Sequence, residues 1–251
     1  MNLKILPVED AEFPAVVGAM WEAFENPFQG FFRVVCPILD NDREKSLKAS
    51  VQLFLEEHHN EQPMSHWIKV VDTDANDKIA GAARWVVYEK DPHPDNEPET
   101  VAEWYPENSI GRDFATAVLR QLEAPRRKLA RRAHVFLHVA FTVPSYRRKG
   151  VADMFLKWGT RKADEMGVEC WLDATDAGCR PYQRHGFISI ADRDLDPPVP
   201  EGLSDQEMSE LLAIRAALLP SHNTCMWRPK GGHYVEGTPK PWEVEIGDPR
   251  K

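Results

Sequence analysis

Between Val135 and Phe187 the chain reads VFLHVAFTVPSYRRKGVADMFLKWGTRKADEMGVECWLDATDAGCRPYQRHGF, and this stretch constrains the fold more than any other. An apolar, β-branched run comes first, a Pro-Ser-Tyr turn follows, and a short basic segment ends in Gly150. Val151, Met154, Phe155 and Trp158 then recur at helical spacing, so a helix with a buried face begins directly after the loop. A second strand from Val168 to Ala174, a short helical element and a third strand complete the unit. A strand, loop and helix in that order aim the free amides of the helix N-terminus at whatever lies before the loop, and such amides bind phosphate. Arg147, Arg148 and Lys149 add positive charge, while Gly150 removes a side chain that would block close approach. An anionic pyrophosphate fits there.

Upstream, Leu3 to Val8 suits a first strand, and Phe13, Val16, Val17, Met20 and Phe24 mark a helix that Pro27 stops. FQGFFRVVCPI reads as an aromatic loop or irregular turn, and Leu47, Val51, Phe54 and Leu55 mark a second amphipathic helix. His66 to Val71 and Ile79 to Tyr88 flank DTDANDK, which predicts an antiparallel hairpin. Residues 89–108 predict an exposed acidic insertion, because proline and carboxylates deny it regular structure. A helix is expected from about Arg112 to Glu123, followed by the basic run PRRKLARR, read as a solvated helix end or, alternatively, a nuclear address. Beyond Phe187 come a strand, a proline-rich connection, a helix capped by Ser204 and Glu207, and a last strand from Asn223 to Arg228. Residues 229–251 read as a loop-like tail.

A length of 251 residues permits one large domain or two small ones. The elements on either side of the central segment complete one sheet, so a single domain over residues 1–251 is expected. With 31 basic against 40 acidic residues the net charge is −9, which argues against nucleic acid or an anionic membrane as partner. Cys36, Cys170, Cys179 and Cys225 form no Cys-x-x-Cys pair, so neither a metal site nor a disulfide framework is expected. The N-terminus lacks an apolar signal region and no run approaches the length of a spanning helix, which predicts a cytoplasmic enzyme, with the nucleus as the alternative.

Arg147-Arg148-Lys149-Gly150-Val151-Ala152 fits the pattern Arg or Gln, two residues, Gly, one residue, Gly or Ala, and Tyr182-Gln-Arg-His-Gly186-Phe187 fits Tyr-x-x-x-Gly-Phe. Together with the strand ending in Val-Pro-Ser-Tyr, these elements resemble the GNAT superfamily of acyl-CoA-dependent N-acetyltransferases. The resemblance implies a mixed α/β fold whose central β-sheet is splayed between the strands at Val135–Val143 and Val168–Ala174 and flanked by helices. It places a cofactor-binding core at about 134–190. It implies acetyl-CoA as cofactor, with backbone groups of Phe141, Thr142 and Val143 pairing with the pantetheine arm like a missing strand. Amides of Arg148, Lys149, Gly150, Val151, Ala152 and Asp153 would hold the pyrophosphate. Asp153 departs from the Gly or Ser frequent there, and Thr175-Asp176 replaces a frequent Asn.

The implied activity is transfer of acetyl to a primary amine, of a small molecule, by direct attack in a ternary complex. The alternatives are a non-catalytic acyl-CoA-binding sensor or scaffold, and an acetyltransferase acting on protein amines. An alkylammonium with a pKa of about 10.4 must lose a proton before it attacks. His138 shares a face with Phe136 and Ala140 by strand alternation. It resembles the strand histidine that accepts this proton in the arylalkylamine branch, and reads equally as a hydrogen-bonded core histidine. Asp173 is the second candidate, or else a strand-end carboxylate, and a water chain would need neither. Tyr182 can protonate the departing thiolate, or merely pack under the Gly-Phe turn. Direct attack leaves Cys170 and Cys179 without a covalent role. Phe28, Phe31 and Phe32, with Trp85 or Tyr88, are candidate walls for the acceptor, and the acidic balance suggests a cationic or aromatic amine.

Overall fold

The computed structural model describes residues 1–94 and 98–245, so residues 95–97 of the expected insertion and 246–251 of the expected tail lie outside the described residues. Its strands are β1 (Leu3–Pro7), β2 (Ser65–Asp72), β3 (Lys78–Tyr88), β4 (His134–Thr142), β5 (Glu169–Ala174), β6 (Ile188–Asp194) and β7 (His222–Arg228). They form one sheet in the order β1-β2-β3-β4-β5-β7-β6, antiparallel throughout except for the parallel pair β4 and β5. This is the mixed sheet expected, and the hairpin around DTDANDK joins β2 to β3.

The helices are α1 (Phe13–Glu25), α2 (Gly30–Val35), α3 (Arg43–Asn60), α4 (Ile110–Leu129), α5 (Val151–Met166), α6 (Asp176–Arg184), α7 (Asp205–Leu218) and α8 (Pro241–Glu245). Trp67 pairs across the sheet with Arg84 and faces Phe13 of α1 and Phe54 of α3. The next residue, Trp85, points to the opposite face, where it is fully buried against Gly159 of α5 and donates from Nε1 to the Phe155 carbonyl at 3.2 Å. Helices therefore cover both faces, as strand alternation requires of a sheet buried on both sides.

Four expectations change. The aromatic segment after Pro27 contains a helix, α2, and buries Phe32 against Trp21. α4 does not end near Glu123 but continues through Pro125 to Leu129, and the first arginine of its basic run, Arg126, is 8% exposed rather than solvated. The acidic insertion lacks helix and strand among its described residues, yet it is anchored. Ala102 is fully buried, Trp104 donates to the Val34 carbonyl at 3.0 Å and Tyr105 to the Arg33 carbonyl at 2.8 Å. The tail carries α8, whose Trp242 packs on Trp171 and Trp227.

Candidate active site

β4 and β5 are hydrogen-bonded over only four rows, His134 to Leu137 against Glu169 to Leu172, and then separate. From His138 onward β4 has no strand partner on its β5 side among the described residues, although its other edge stays paired with β3 up to Gly81↔Thr142. Across β3, Arg84 lies opposite Val139 and Trp85 opposite Leu137, so His138 is the extra residue of a β-bulge. The bulge resets the alternation: His138 stays on the Phe136 face, but Ala140 moves to the other one, contrary to the simple period of two.

After β4, Arg148 (φ 62°) and Gly150 (φ 84°) take left-handed conformations that turn the chain into α5. The Met154 amide makes the first bond of that helix, to the Gly150 carbonyl, so the amides of Val151, Ala152 and Asp153 precede the intrahelical ladder and point outward. Arg147 turns inward, donating to the Thr142 carbonyl at 3.3 Å and to the Ala23 carbonyl of α1 at 2.7 Å. It braces the loop against α1. A cavity of about 420 Å³ lies in front of this turn and touches Phe141, Thr142, Arg148, Gly150, Val151, Ala152 and Asp153. Val143 and Lys149 do not line it; the Lys149 ammonium sits over the Tyr146 ring at 5.1 Å. The Asp153 carboxylate is held by Lys157 at 2.7 Å and His185 at 2.8 Å, and both contacts keep it below the usual carboxylate range.

A second, smaller cavity of about 190 Å³ lies deeper in the splay and is lined by Tyr182, His138 and Asp173 together with Phe31 and Phe32. Phe28 does not reach it and is 54% exposed, and Trp85 is buried in the core on the α5 side. The two cavities share Phe24, Gln29, Ala140, Thr175 and Tyr182. Tyr182 therefore stands where they meet. Its hydroxyl takes no hydrogen bond among the described residues, and burial pushes the phenol up to about 12.

Arg84 Nη1 donates to His138 Nδ1 at 2.9 Å. Arginine cannot accept, so neutral His138 carries its proton on Nε2. The ring keeps solvent contact through the cavity, but desolvation by the packed walls around it and the charges of Arg84 and Arg126 hold its pKa below that of free histidine. Arg84 is itself fully buried and pairs with Glu57 at 2.6 Å and Glu61 at 2.8 Å. Asp173 lies 3.4 Å from Arg126 Nε and 3.4 Å from Arg193 Nη2; burial raises its pKa and the two guanidinium groups oppose that rise. Cys36 and Cys170 are buried with thiols raised to about 12 by burial, which leaves them poor nucleophiles. Among the described residues there is no cluster of three or more potential metal ligands, and no helix is long and apolar enough to cross a membrane.

Sequence reasoning did not single out Arg126, Glu123, Leu122 and Leu119, which line the second cavity from one face of α4. Their spacing of three, four and seven residues was the available signal, hidden by reading Pro125 as the start of a solvated end.

No family model matches the chain, and no curated protein matches it in sequence. Solved structures do match it in shape. A Drosophila melanogaster polyamine N-acetyltransferase that forms N-acetylagmatine aligns with 90% of this chain and 99% of its own at a TM-score of 0.61 and 12% identity. Arylalkylamine N-acetyltransferase 2 from Aedes aegypti aligns with 91% of this chain and 99% of its own at 0.57 and 13%. An acetyltransferase related to a histone acetyltransferase, from Corynebacterium glutamicum, aligns with 95% of this chain and 100% of its own at 0.54 and 20%. The fold of this chain is the GNAT acetyltransferase fold.

Proposed function

We propose that this chain, acting as one domain over residues 1–251, transfers acetyl from acetyl-CoA to a primary amine of a small molecule by direct attack in a ternary complex. Two cavities meeting inside a strand splay, with Tyr182 at their junction, carry this reading. The outer cavity fits the cofactor: unpartnered β4 backbone beside it suits an extended amide-bearing arm, and the outward amides of Val151 to Asp153, with Arg148, suit a pyrophosphate. When bound, acetyl-CoA supplies an activated acyl thioester. The inner cavity's small volume favours a small amine over a folded protein surface.

A C–N bond forms as the C–S bond breaks, and an acceptor entering as ammonium loses two protons. Both protons leave through Asp173 to solvent, and the departing thiolate, stabilised by a hydrogen bond from the Tyr182 hydroxyl, takes one proton back from solvent. His138 cannot take a proton on Nε2 while Arg84 occupies Nδ1, so it donates its Nε2–H into the cavity. That leaves Asp173 as the base among the three candidate residues. The test is an amine panel with acetyl-CoA, read by thiol release and mass detection, that includes arylalkylamines, polyamines, aminoglycosides and lysine peptides. Stoichiometric thiol release with one acetylated small amine is expected. A silent panel alongside tight acetyl-CoA binding in calorimetry would return the sensor reading, and preference for peptides the protein-acetylating one.

A further inference from the structure

The inner cavity contains a buried cation that its protein partners leave incompletely bonded. The Arg126 side chain is 10% exposed, lies over the Phe136 ring at 4.0 Å and spends its Nε on Asp173 at a long 3.4 Å. Neither Nη takes a hydrogen bond among the described residues, although the residue lines the cavity. Unlike the buried, unpartnered donors of Arg193 and Arg132, the Arg126 Nη groups keep accessible surface, so a ligand in the cavity can reach them. The two Nη groups form a planar fork suited to two oxygens of one carboxylate.

The surrounding charges agree. Asp173 is shared between Arg126 and Arg193, and Glu123, the other carboxylate on the cavity wall, faces Arg127 at 3.6 Å and accepts from Thr100 Oγ1 at 2.5 Å. Asp173 thus meets two guanidinium groups, those of Arg126 and Arg193, and a single carboxylate cannot neutralise both. Arg84, behind His138, is covered by Glu57 and Glu61, and the neutral His138 ring offers a further donor, Nε2–H. Phe31, Phe32 and Leu119 make the remaining wall apolar.

We infer that the acceptor is an amino acid: a small amine that also carries a carboxylate, bound by Arg126, with an apolar or aromatic side chain against the phenylalanine wall. This rests on the acetyltransferase reading above and deepens it. It replaces the cationic amine suggested by the acidic composition, since the acidic excess is not what lines this cavity. Arg126 beside Asp173 also presents the two charges complementary to a zwitterion, its carboxylate on the guanidinium and its ammonium toward the acid.

The test compares matched acceptors on the wild-type protein: phenylalanine against phenethylamine, and tryptophan against tryptamine, by thiol release with acetyl-CoA. The carboxylated member is expected to have the higher kcat/KM by tenfold or more, and Arg126→Gln to bring that ratio close to one. A second arm measures binding of 3-phenylpropanoate by calorimetry in the presence of CoA; binding is expected in wild type and at least tenfold weaker in Arg126→Gln. Acetylation of the decarboxylated amines as fast as, or faster than, the amino acids would overturn the inference and leave the acetyltransferase reading standing. If no amine is acetylated, that reading falls, and the calorimetric arm still decides whether the cavity binds carboxylates. Absence of 3-phenylpropanoate binding to wild type would then sink the inference as well.

Discussion

Replacing Tyr182 by Phe removes one hydroxyl and separates two ways a phenol can assist a departing thiolate. Burial raises the phenol to about 12, whereas a thiol has a reference pKa of about 8.5. Complete transfer from phenol to thiolate would therefore run uphill by roughly 3.5 pKa units, or about 5 kcal/mol at 1.36 kcal/mol per unit. Tyr182 then acts mainly by a charge-assisted hydrogen bond to the sulfur as charge develops, worth about 1.5–3 kcal/mol. At about 1.4 kcal/mol per decade this corresponds to a fall in kcat of roughly 10- to 150-fold, below the 10⁴-fold upper range of full general-acid catalysis. Folding stability is expected to hold, because the hydroxyl has no hydrogen bond to lose among the described residues. Acetyl-CoA affinity is expected within about twofold of wild type, because the amides before Met154 supply the phosphate contacts. Steady-state thiol release, calorimetry with acetyl-CoA and a thermal melt measure the three quantities. A kcat within threefold of wild type would refute the assignment, as would a loss of cofactor affinity that accounts for the whole rate change.

Gly159→Ala would place a Cβ 2.2 Å from the Trp85 ring, with backbone on one side and a buried indole on the other. Overpacking of this kind is expected to remove about 1–3 kcal/mol and lower Tm by several degrees; an unchanged melting curve would mean that α5 is not seated on β3 as described. Asp153→Ser removes a carboxylate from the first turn of α5, where it opposes an incoming pyrophosphate, and should tighten acetyl-CoA binding about two- to fivefold in calorimetry; weaker binding would count against the phosphate site. His134 is fully buried, donates from Nδ1 to the Arg132 carbonyl at 2.7 Å, and is lowered by burial to about 4. Its folded pKa lies below its unfolded value, so its contribution is intact above about pH 6.5 and is lost as pH falls toward 4, by about 3 kcal/mol. Denaturant unfolding at pH 7 and pH 4.5 should show a drop that shrinks in His134→Phe, and an equal drop in both proteins would assign the pH dependence elsewhere.

The cofactor half of the site was legible because it is local. A strand, a turn with Gly150 and a helix start fall within a few residues of one another, and the free amides follow from the helix geometry itself. Tyr182 was legible for the same reason, through its fixed distance to Gly186 and Phe187, where the chain must turn at a φ of 85°. The inner cavity is assembled from distant elements: Phe31 and Phe32 on α2, Leu119 to Arg126 on α4, His138 on β4 and Asp173 on β5. No window of sequence holds two sides of it.

Two residues show how tertiary contacts override the local signal. Pro125 removes a helical hydrogen bond and ordinarily ends a helix, yet α4 continues to Leu129. Its last turns are held from outside, by Arg126 against Phe136 and Asp173 and by the Leu122 carbonyl accepting from Arg193. The buried arginine thereby stabilises the helix segment that presents it to the cavity. His138 follows the same logic in the sheet. Unbroken alternation would leave Val139 and Phe141 on the α5 face, whereas the bulge puts Phe141 toward Phe24 of α1 and keeps His138 beside Arg84. One extra residue in β4 thus places the wall of the outer cavity and a donor of the inner one on the same face, just where the pairing with β5 ends.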